Sequence, residues 1–188
     1  LLLQAKLQTG PGGVTLSNDD GLWLKSPAGP LQLVVRENGQ APGFGAGTRL
    51  QQLGNNAVLG EDGRYAFTAI LKTNKSLGIS KGNNSGLWTN FSGPPALLVR
   101  EGAPAPGTGN GASFDVLTNA LISANSSGQL AFLTLLKQTS TVTSANRSGI
   151  WMWDGAQLAM IARGGDQAPG TPAGAVFSRP GAPLLRDA

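Results

Sequence analysis

The chain contains no cysteine and no histidine, and only 13% of its 188 residues are charged. The absence of cysteine excludes a disulfide framework and thiolate chemistry, and it leaves the redox compartment open. The absence of histidine removes the general base of Ser-His-Asp catalysis. No apolar run approaches the roughly 20 residues that cross a bilayer as a helix, so no membrane span is predicted. Leu1-Leu2-Leu3 has neither the basic segment nor the cleavage site of a signal peptide, and we interpret it as the interior of a longer or processed protein.

Glycine and proline are abundant, with 28 and 12 residues, and 40% of the chain is hydrophobic. Abundant turn-forming residues with few charges are typical of short strands joined by tight turns. No stretch of useful length has apolar residues at helical spacing, so an all-β fold with little helix is predicted. The lysines and arginines behind the formal charge of +4 are not clustered. A nucleic-acid partner is therefore not predicted.

A repeat of about 63 residues, the spacing between Trp88 and Trp151, organises the sequence. Each copy opens with Gly-Leu-Trp or Gly-Ile-Trp, continues as an apolar run that ends in arginine, and then has Ala-Pro-Gly. An apolar residue follows eight positions after the proline of each Ala-Pro-Gly. The repeated tryptophans are Trp23, Trp88 and Trp151. The repeated arginines are Arg36, Arg100 and Arg163.

The repeat divides the chain into residues 21–85, residues 86–148, and a split unit made of residues 149–188 and residues 1–20. Short apolar runs separated by Gly, Pro and Asn turns predict four strands in each complete unit. Four short strands with a repeated aromatic residue describe a β-propeller blade. We therefore predict about three four-stranded blades, with the first and last strands of the chain sharing one blade. Such sharing would close the fold without an exposed sheet edge.

Three segments carry a family resemblance. They are Gly21-Leu22-Trp23, residues 100–107 (Arg-Glu-Gly-Ala-Pro-Ala-Pro-Gly) and residues 125–132 (Asn-Ser-Ser-Gly-Gln-Leu-Ala-Phe). In these segments the chain resembles a family of uncharacterised bacterial repeat proteins that are predicted to form propellers. The first copy departs from the family pattern, with Asn38 before a glycine and Leu50 in place of an aromatic residue. The resemblance implies a secreted or cell-surface bacterial protein, and it implies no particular activity.

The motifs that suggest chemistry are weak. Residues 78–82 match the Gly-x-Ser-x-Gly nucleophile motif, but that motif needs a histidine and a strand-to-helix turn. The acidic pairs Asp19-Asp20 and Glu61-Asp62 lack the spacing of a calcium loop, and we interpret them as turn residues. Neither a metal nor a cofactor is therefore predicted. Glycoside hydrolysis needs two carboxylates that meet in space, and Asp62 and Asp115 are the pair that the sequence offers.

The repeated tryptophans and arginines are the strongest candidate site residues, because they recur at the same position in every copy. As ligand-binding residues, the tryptophans would stack on sugars and the arginines would bind anions. As packing residues, the tryptophans would lie between blades, and the arginines would pair with a carbonyl or an acid of the next blade. Repetition in every copy favours packing, because each blade meets the same kind of neighbour. Trp153 has no counterpart in the other copies and is the better candidate for a specific ligand contact.

These observations favour a non-catalytic, extracellular module with a structural or interaction role. Three blades are fewer than the roughly four to eight that close a propeller. We expect two chains to join as six blades, or the chain to be part of a longer protein, or copies to stack into a filament. The alternatives are a lectin-like propeller that binds carbohydrate or a surface, and a carboxylate-dependent glycoside hydrolase or lyase.

Overall fold

The computed structural model describes residues 1–109 and 111–187, whose regular structure is β-strand apart from two short 3-10 turns, Pro11–Gly13 and Lys75–Leu77. The strands in chain order are β1 (Leu2–Lys6), β2 (Asp20–Lys25), β3 (Leu31–Arg36), β4 (Leu50–Leu59), β5 (Tyr65–Leu71), β6 (Ser85–Thr89), β7 (Ala96–Arg100), β8 (Leu121–Ala124), β9 (Leu130–Leu135), β10 (Ser148–Trp153) and β11 (Leu158–Arg163).

The strands form three antiparallel sheets in which each strand pairs with its neighbours in the chain. Sheet 1 has the order β1-β2-β3, sheet 2 the order β4-β5-β6-β7, and sheet 3 the order β8-β9-β10-β11. Each four-stranded sheet joins the second half of one sequence unit to the first half of the next. The sheets are therefore offset by about half a unit from residues 21–85 and 86–148, because the Ala-Pro-Gly bend carries the chain from one sheet to the next.

Sheet 2 lies between the other two sheets, which explains why its strands are apolar on both faces. In β5, Phe67 packs toward sheet 1, whereas Ala66 packs toward sheet 3. The core between sheets 1 and 2 includes Leu22, Val35, Leu50, Phe67, Leu71 and Trp88. The core between sheets 2 and 3 includes Ala66, Leu87, Val99, Phe114, Phe132 and Trp151. Burial of these two layers is the main stabilising contribution to the fold.

The glycine of Gly-Leu/Ile-Trp leaves room for the tryptophan two residues later. A β-carbon at Gly21, Gly86 or Gly149 would lie 2.5, 2.8 or 2.7 Å from an atom of the ring of Trp23, Trp88 or Trp151, respectively. The strand register also shifts at each of these tryptophans, which is the geometry of a β-bulge. The repeated Gly-x-Trp is therefore a steric requirement of a bulged strand with a ring folded back over its own backbone.

The departure at Asn38 also has a structural reason. Asn38 has a φ of 62°, and its counterparts Gly102 and Gly165 have φ values of 81° and 85°. In all three copies the N–H of this residue donates to the carbonyl of Leu50, Phe114 or Phe177. The position needs left-handed backbone, which glycine adopts freely and asparagine tolerates better than other side chains do.

The predicted all-β fold with little helix is confirmed. Sheets 2 and 3 have the predicted four strands, and sheet 1 has three. In the described part of the chain, the C-terminal residues 184–187 lie beside β8 and not beside β1: the Leu185 N–H donates to Ser123 Oγ at 2.9 Å, and the Ser126 N–H donates to Asp187 Oδ1 at 2.7 Å. The shared blade and the closed propeller stay predictions.

Candidate functional site

Two of the repeated tryptophans lie fully buried between sheets. The indole of Trp88 in sheet 2 donates to the Pro42 carbonyl at 3.1 Å, and that of Trp151 in sheet 3 donates to the Pro106 carbonyl at 3.0 Å. Each proline belongs to the Ala-Pro-Gly of the preceding copy. Phe67 and Phe132 stack on these rings, with centroids 5.8 and 6.2 Å away. Both tryptophans are therefore occupied by contacts between copies.

Trp23 and Trp153 are only half buried. The ring of Trp23 is held over Gly21 like the other two, but its indole N–H has no hydrogen-bond acceptor among the described residues. Trp153 lines a cavity of about 210 Å³ together with Thr89, Ser92 and Leu98. Its Nε1 is buried without a hydrogen-bond partner. Each of these two tryptophans therefore has an indole N–H without a hydrogen-bond partner in the described part of the chain.

The three repeated arginines bind a turn of their own sheet. Nε of Arg36 donates to the Asn18 carbonyl, and Nε of Arg100 donates to the Asn83 carbonyl at 2.6 Å. Nε of Arg163 donates in the same way to the Asn146 carbonyl at 2.5 Å. Arg36 and Arg100 also reach the Oδ1 atom of the same asparagine, at 3.0 and 3.2 Å. The sheet order places each of these hydrogen bonds within one sheet, whereas the packing interpretation expected a carbonyl or an acid of the next blade. Arg100 also lies over the ring of Phe44 in the preceding copy, 5.6 Å from its centroid.

The asparagines Asn18, Asn83 and Asn146 are structural positions to which the sequence alone assigned no role. The side-chain oxygens of Asn18, Asn83 and Asn146 accept the N–H of the residue three positions earlier, at 2.8, 2.8 and 2.7 Å. Their side-chain amides donate to a carbonyl five residues earlier. The asparagine thus closes a tight turn before each Gly-Leu/Ile-Trp. Its recurrence at a fixed place before each tryptophan is the sequence signal that could have indicated this role.

Buried carboxylates follow the first two repeated arginines. Glu101 is 3% exposed, and its Oε2 accepts from the Ser85 N–H and Oγ at 3.2 and 3.0 Å. Its other oxygen lies 3.4 Å from Lys137 Nζ. Its counterpart Glu37 faces Asp20 in place of a serine, and its side chain accepts only the Asp20 N–H, at 3.4 Å, among the described residues. The first copy therefore brings two carboxylates together where the second copy pairs one with a hydroxyl and a lysine.

Burial raises the pKa of the Glu37 carboxyl above its ordinary value of 4.5, and the charges of Asp20 and Asp19 raise it further. The N–H of Asp20 and the charge of Lys6 oppose this shift. An acid whose pKa is higher in the folded than in the unfolded state binds its proton more tightly when folded. Glu37 therefore lowers the stability of the fold as the pH rises from about 4.5 through its raised folded-state pKa, and by a constant amount at higher pH.

We expect Glu37→Gln to raise the Tm at pH 7, because the amide keeps an oxygen acceptor for the Asp20 N–H and removes a buried negative charge. The gain should shrink as the pH falls toward 4.5 and vanish below it, where the unmodified side chain is protonated in both the folded and the unfolded state. Thermal unfolding followed by circular dichroism between pH 3 and 8 measures both effects. Glu101→Gln is the matched control, and it should lower the Tm at pH 7 because it breaks the ion pair with Lys137. Parallel pH profiles for Glu37→Gln and the unmodified chain would contradict this account.

The remaining candidate motifs do not assemble into a catalytic centre in the described part of the chain. Asp62 pairs with Arg64 at 3.2 Å, and Asp115 pairs with Arg147 at 2.5 Å. Ser80 of the Gly-x-Ser-x-Gly motif lies in the turn closed by Asn83. Residues 1–109 and 111–187 contain no group of three or more Asp or Glu side chains arranged to hold a metal ion. The same residues contain no helix with the length and apolarity needed to cross a membrane.

Three antiparallel sheets, joined by a repeated contact between an Ala-Pro-Gly carbonyl and a tryptophan, define an all-β repeat protein. The chain belongs to the family of unknown function DUF7453, which matches residues 4–187. No curated protein and no solved structure matches the chain. The match agrees with the expected membership of an uncharacterised family, and a propeller architecture for that family stays a prediction.

Proposed function

We propose that the chain is a non-catalytic structural and interaction module of propeller-type repeats that acts outside the bacterial cell. The observation that supports this proposal is the set of contacts that the repeated residues make. Trp88 and Trp151 bind the preceding copy, and the arginines bind a turn of their own sheet. Trp88 and Trp151 thus join neighbouring copies, which is the expected pattern when stacking neighbours supply the core, and the arginines hold a turn within each sheet.

The arrangement of the sheets supports propeller-type repeats. Sheets 2 and 3 are four-stranded antiparallel meanders, and their first strands, β4 and β8, lie side by side. Asn56 Nδ2 on β4 donates to the Ala120 carbonyl just before β8 at 2.9 Å, and the Thr68 hydroxyl donates to the Thr118 carbonyl at 3.3 Å. Blades of a propeller stack in this manner, with their first strands around a central axis. The extracellular location rests on the family resemblance alone.

A lectin-like module is the second candidate, and Trp153 is the observation that favours it. A half-buried indole with an unpartnered N–H beside a cavity of about 210 Å³ offers an apolar face and one donor. Sugars bind to such surfaces through stacking of C–H groups on the ring and hydrogen bonds to hydroxyls. Thr89 contributes little to this donor set, because its hydroxyl already donates to the Tyr65 carbonyl at 3.0 Å.

A glycan array and a panel of chromogenic glycosides test the proposal together. We expect no turnover and no glycan binding from the unmodified chain. Hydrolysis that disappears in Asp62→Asn or Asp115→Asn would overturn the non-catalytic assignment. Glycan binding that disappears in Trp153→Ala, but persists in the exposed control Leu77→Ala, would establish the lectin in its place. Surface labelling of intact source cells with an antibody tests the location, and a signal that needs cell lysis would contradict it.

A further inference from the structure

The two outer faces of the three-sheet stack are the two halves of the interface that already joins its sheets. Within the chain, each interface has a loop side that presents an Ala-Pro-Gly carbonyl and a tryptophan side whose indole donates to that carbonyl. Sheet 1 uses its loop side on sheet 2, and sheet 2 uses its loop side on sheet 3. The tryptophan side of sheet 1 and the loop side of sheet 3 are left without a partner among the described residues.

The free tryptophan side of sheet 1 repeats the contact residues of the tryptophan sides of sheets 2 and 3. Trp23 pairs across the sheet with Leu3, in the place of Phe67 beside Trp88 and of Phe132 beside Trp151. Leu33 lies opposite Trp23, in the place of Leu97 and Met160. Leu97 and Met160 pack into the cores between sheets, whereas Leu33 is 53% exposed. This side is thus an apolar surface with an unused indole donor.

The free loop side of sheet 3 already has the conformation of the loops in the first two copies. The Ala168 N–H donates to the Ala175 carbonyl at 2.9 Å, as the Ala41 N–H does to the Thr48 carbonyl in the first copy. Gln167 holds the loop through the Pro172 carbonyl at 3.0 Å and the Gly174 N–H at 2.8 Å. Gln40 makes the same kind of contacts in the first copy, with the carbonyl of Gly45 and the N–H of Gly47. Within the described chain, no tryptophan donates to the Pro169 carbonyl.

The apolar face beside this loop is also uncovered. Ile161 stands where Val34 of sheet 1 and Leu98 of sheet 2 pack against the next sheet, and it is 56% exposed. An exposed apolar face on a soluble domain marks an interaction surface. This face repeats the faces that sheets 1 and 2 use in the two internal interfaces. The surface that fits it is therefore the tryptophan side of sheet 1.

We propose that copies of this chain associate head to tail, with the loop Ala168-Pro169-Gly170 and Ile161 of one copy docked on Trp23 and Leu33 of another. The Trp23 indole N–H donates to the Pro169 carbonyl in this contact, as Trp88 and Trp151 do to Pro42 and Pro106. The interface is heterologous, so it yields a ring where the rotation closes and a filament where it does not. The inference rests on the proposed interaction role and names the partner.

Strand pairing extends the same contact. Residues 184–187 correspond to β8 in the sequence repeat, and in space they lie beside β8. No strand of the described chain lies on their other side. β1 corresponds to β5 and β9 in the sequence repeat. β5 and β9 each pair with two strands, whereas in the described chain β1 pairs only with β2. In the register of β8 with β9, Leu184 of one copy pairs with Gln4 of another. Addition of a strand to an open sheet edge is an established mode of association.

Charge substitutions on the two faces test the inference through the molar mass in solution. Leu33→Glu and Ile161→Glu alter exposed side chains and should fold, and each should convert an associating protein into a monomer. Equimolar mixing of the two variants should restore a 1:1 complex, because each variant keeps the face that the other lacks. Leu16→Glu, at a side chain that is 84% exposed in a loop, is the matched control and should associate like the unmodified chain. Light scattering after size exclusion measures the molar mass of the unmodified chain, the three variants and the mixture.

Trp23→Phe tests the hydrogen bond, because it keeps a ring and removes the donor. We expect association to weaken about tenfold, the effect of one buried hydrogen bond. An unmodified chain that stays monomeric at high concentration, or a mixture of Leu33→Glu and Ile161→Glu that stays monomeric, would overturn the head-to-tail contact. Neither result bears on catalysis or glycan binding, so failure of this contact is distinguishable from failure of the proposed function.

Discussion

Replacement of Trp88 by alanine is expected to lower the free energy of unfolding by about 3–5 kcal/mol, the cost of removing a large aromatic side chain from a packed core. Trp88 is fully buried, stacks on Phe67, and donates to the Pro42 carbonyl. The substitution therefore leaves a cavity between sheets 1 and 2 and an unpaired carbonyl in it. Chemical denaturation followed by far-ultraviolet circular dichroism measures the change without relying on tryptophan fluorescence.

Trp23→Ala is the matched control for this experiment, because it removes the same side chain from the same place in the repeat. Trp23 is half buried and its indole has no acceptor within the described chain, so the monomer should lose only about 1 kcal/mol. The comparison is made at a protein concentration where the chain is monomeric. Equal losses at the two positions would show that the preceding Ala-Pro-Gly loop contributes nothing to the energy of the tryptophan contact.

The sequence predicted the parts of the fold that depend on local pattern. Alternating apolar residues and turn residues indicated strands, and the absence of helical spacing excluded helices, so the all-β prediction is confirmed. The repeat identified Trp88 and Trp151 as equivalent before their equivalent contacts with Pro42 and Pro106 were known. Repetition carries this information because each copy must bury the same face against the same kind of neighbour.

The division of the chain into sheets needed long-range information. The sequence units begin at Gly21 and Gly86, whereas the sheets begin at β1, β4 and β8, about half a unit away. Sequence similarity fixes the length of a repeat but not where along it the hydrogen-bonded sheet starts. That choice depends on whether Ala-Pro-Gly turns the chain within a sheet or carries it to the next one. The same limit explains the arginines, whose partners lie 17 or 18 residues back.

The sequence pattern could not predict that Asp20 and Glu37 of the first copy lie side by side. Asp19-Asp20 and Glu37 are far apart in the sequence, and only the pairing of β2 with β3 brings Asp20 to Glu37. The equivalent place in the second copy holds Ser85 and Glu101. An aspartate in the place of this serine puts a second carboxylate beside Glu37, and the consequence for the pKa of Glu37 follows from spatial neighbours alone.

Gly86→Ala is expected to lower the free energy of unfolding by about 1–3 kcal/mol, the cost of overpacking a core. Its β-carbon would lie 2.6 Å from Leu97 Cδ1 and 2.8 Å from the ring of Trp88. Leu97 is able to rotate away, but the Trp88 ring is held by Phe67 and by the Pro42 carbonyl. The strain therefore falls on the contact between sheets. Chemical denaturation of the single variant measures it.

A double-mutant cycle assigns this strain to the ring. In a Trp88→Leu background the ring atoms that crowd residue 86 are gone, so adding Gly86→Ala should cost much less than it does beside tryptophan. Gly45→Ala is the control for the substitution itself, because a β-carbon there meets nothing within 4 Å, and its effect should stay within about 0.5 kcal/mol. Additive losses in the cycle would mean that Gly86 is required for the strand and not for the tryptophan, and the steric account of Gly-x-Trp would then be wrong in all three copies.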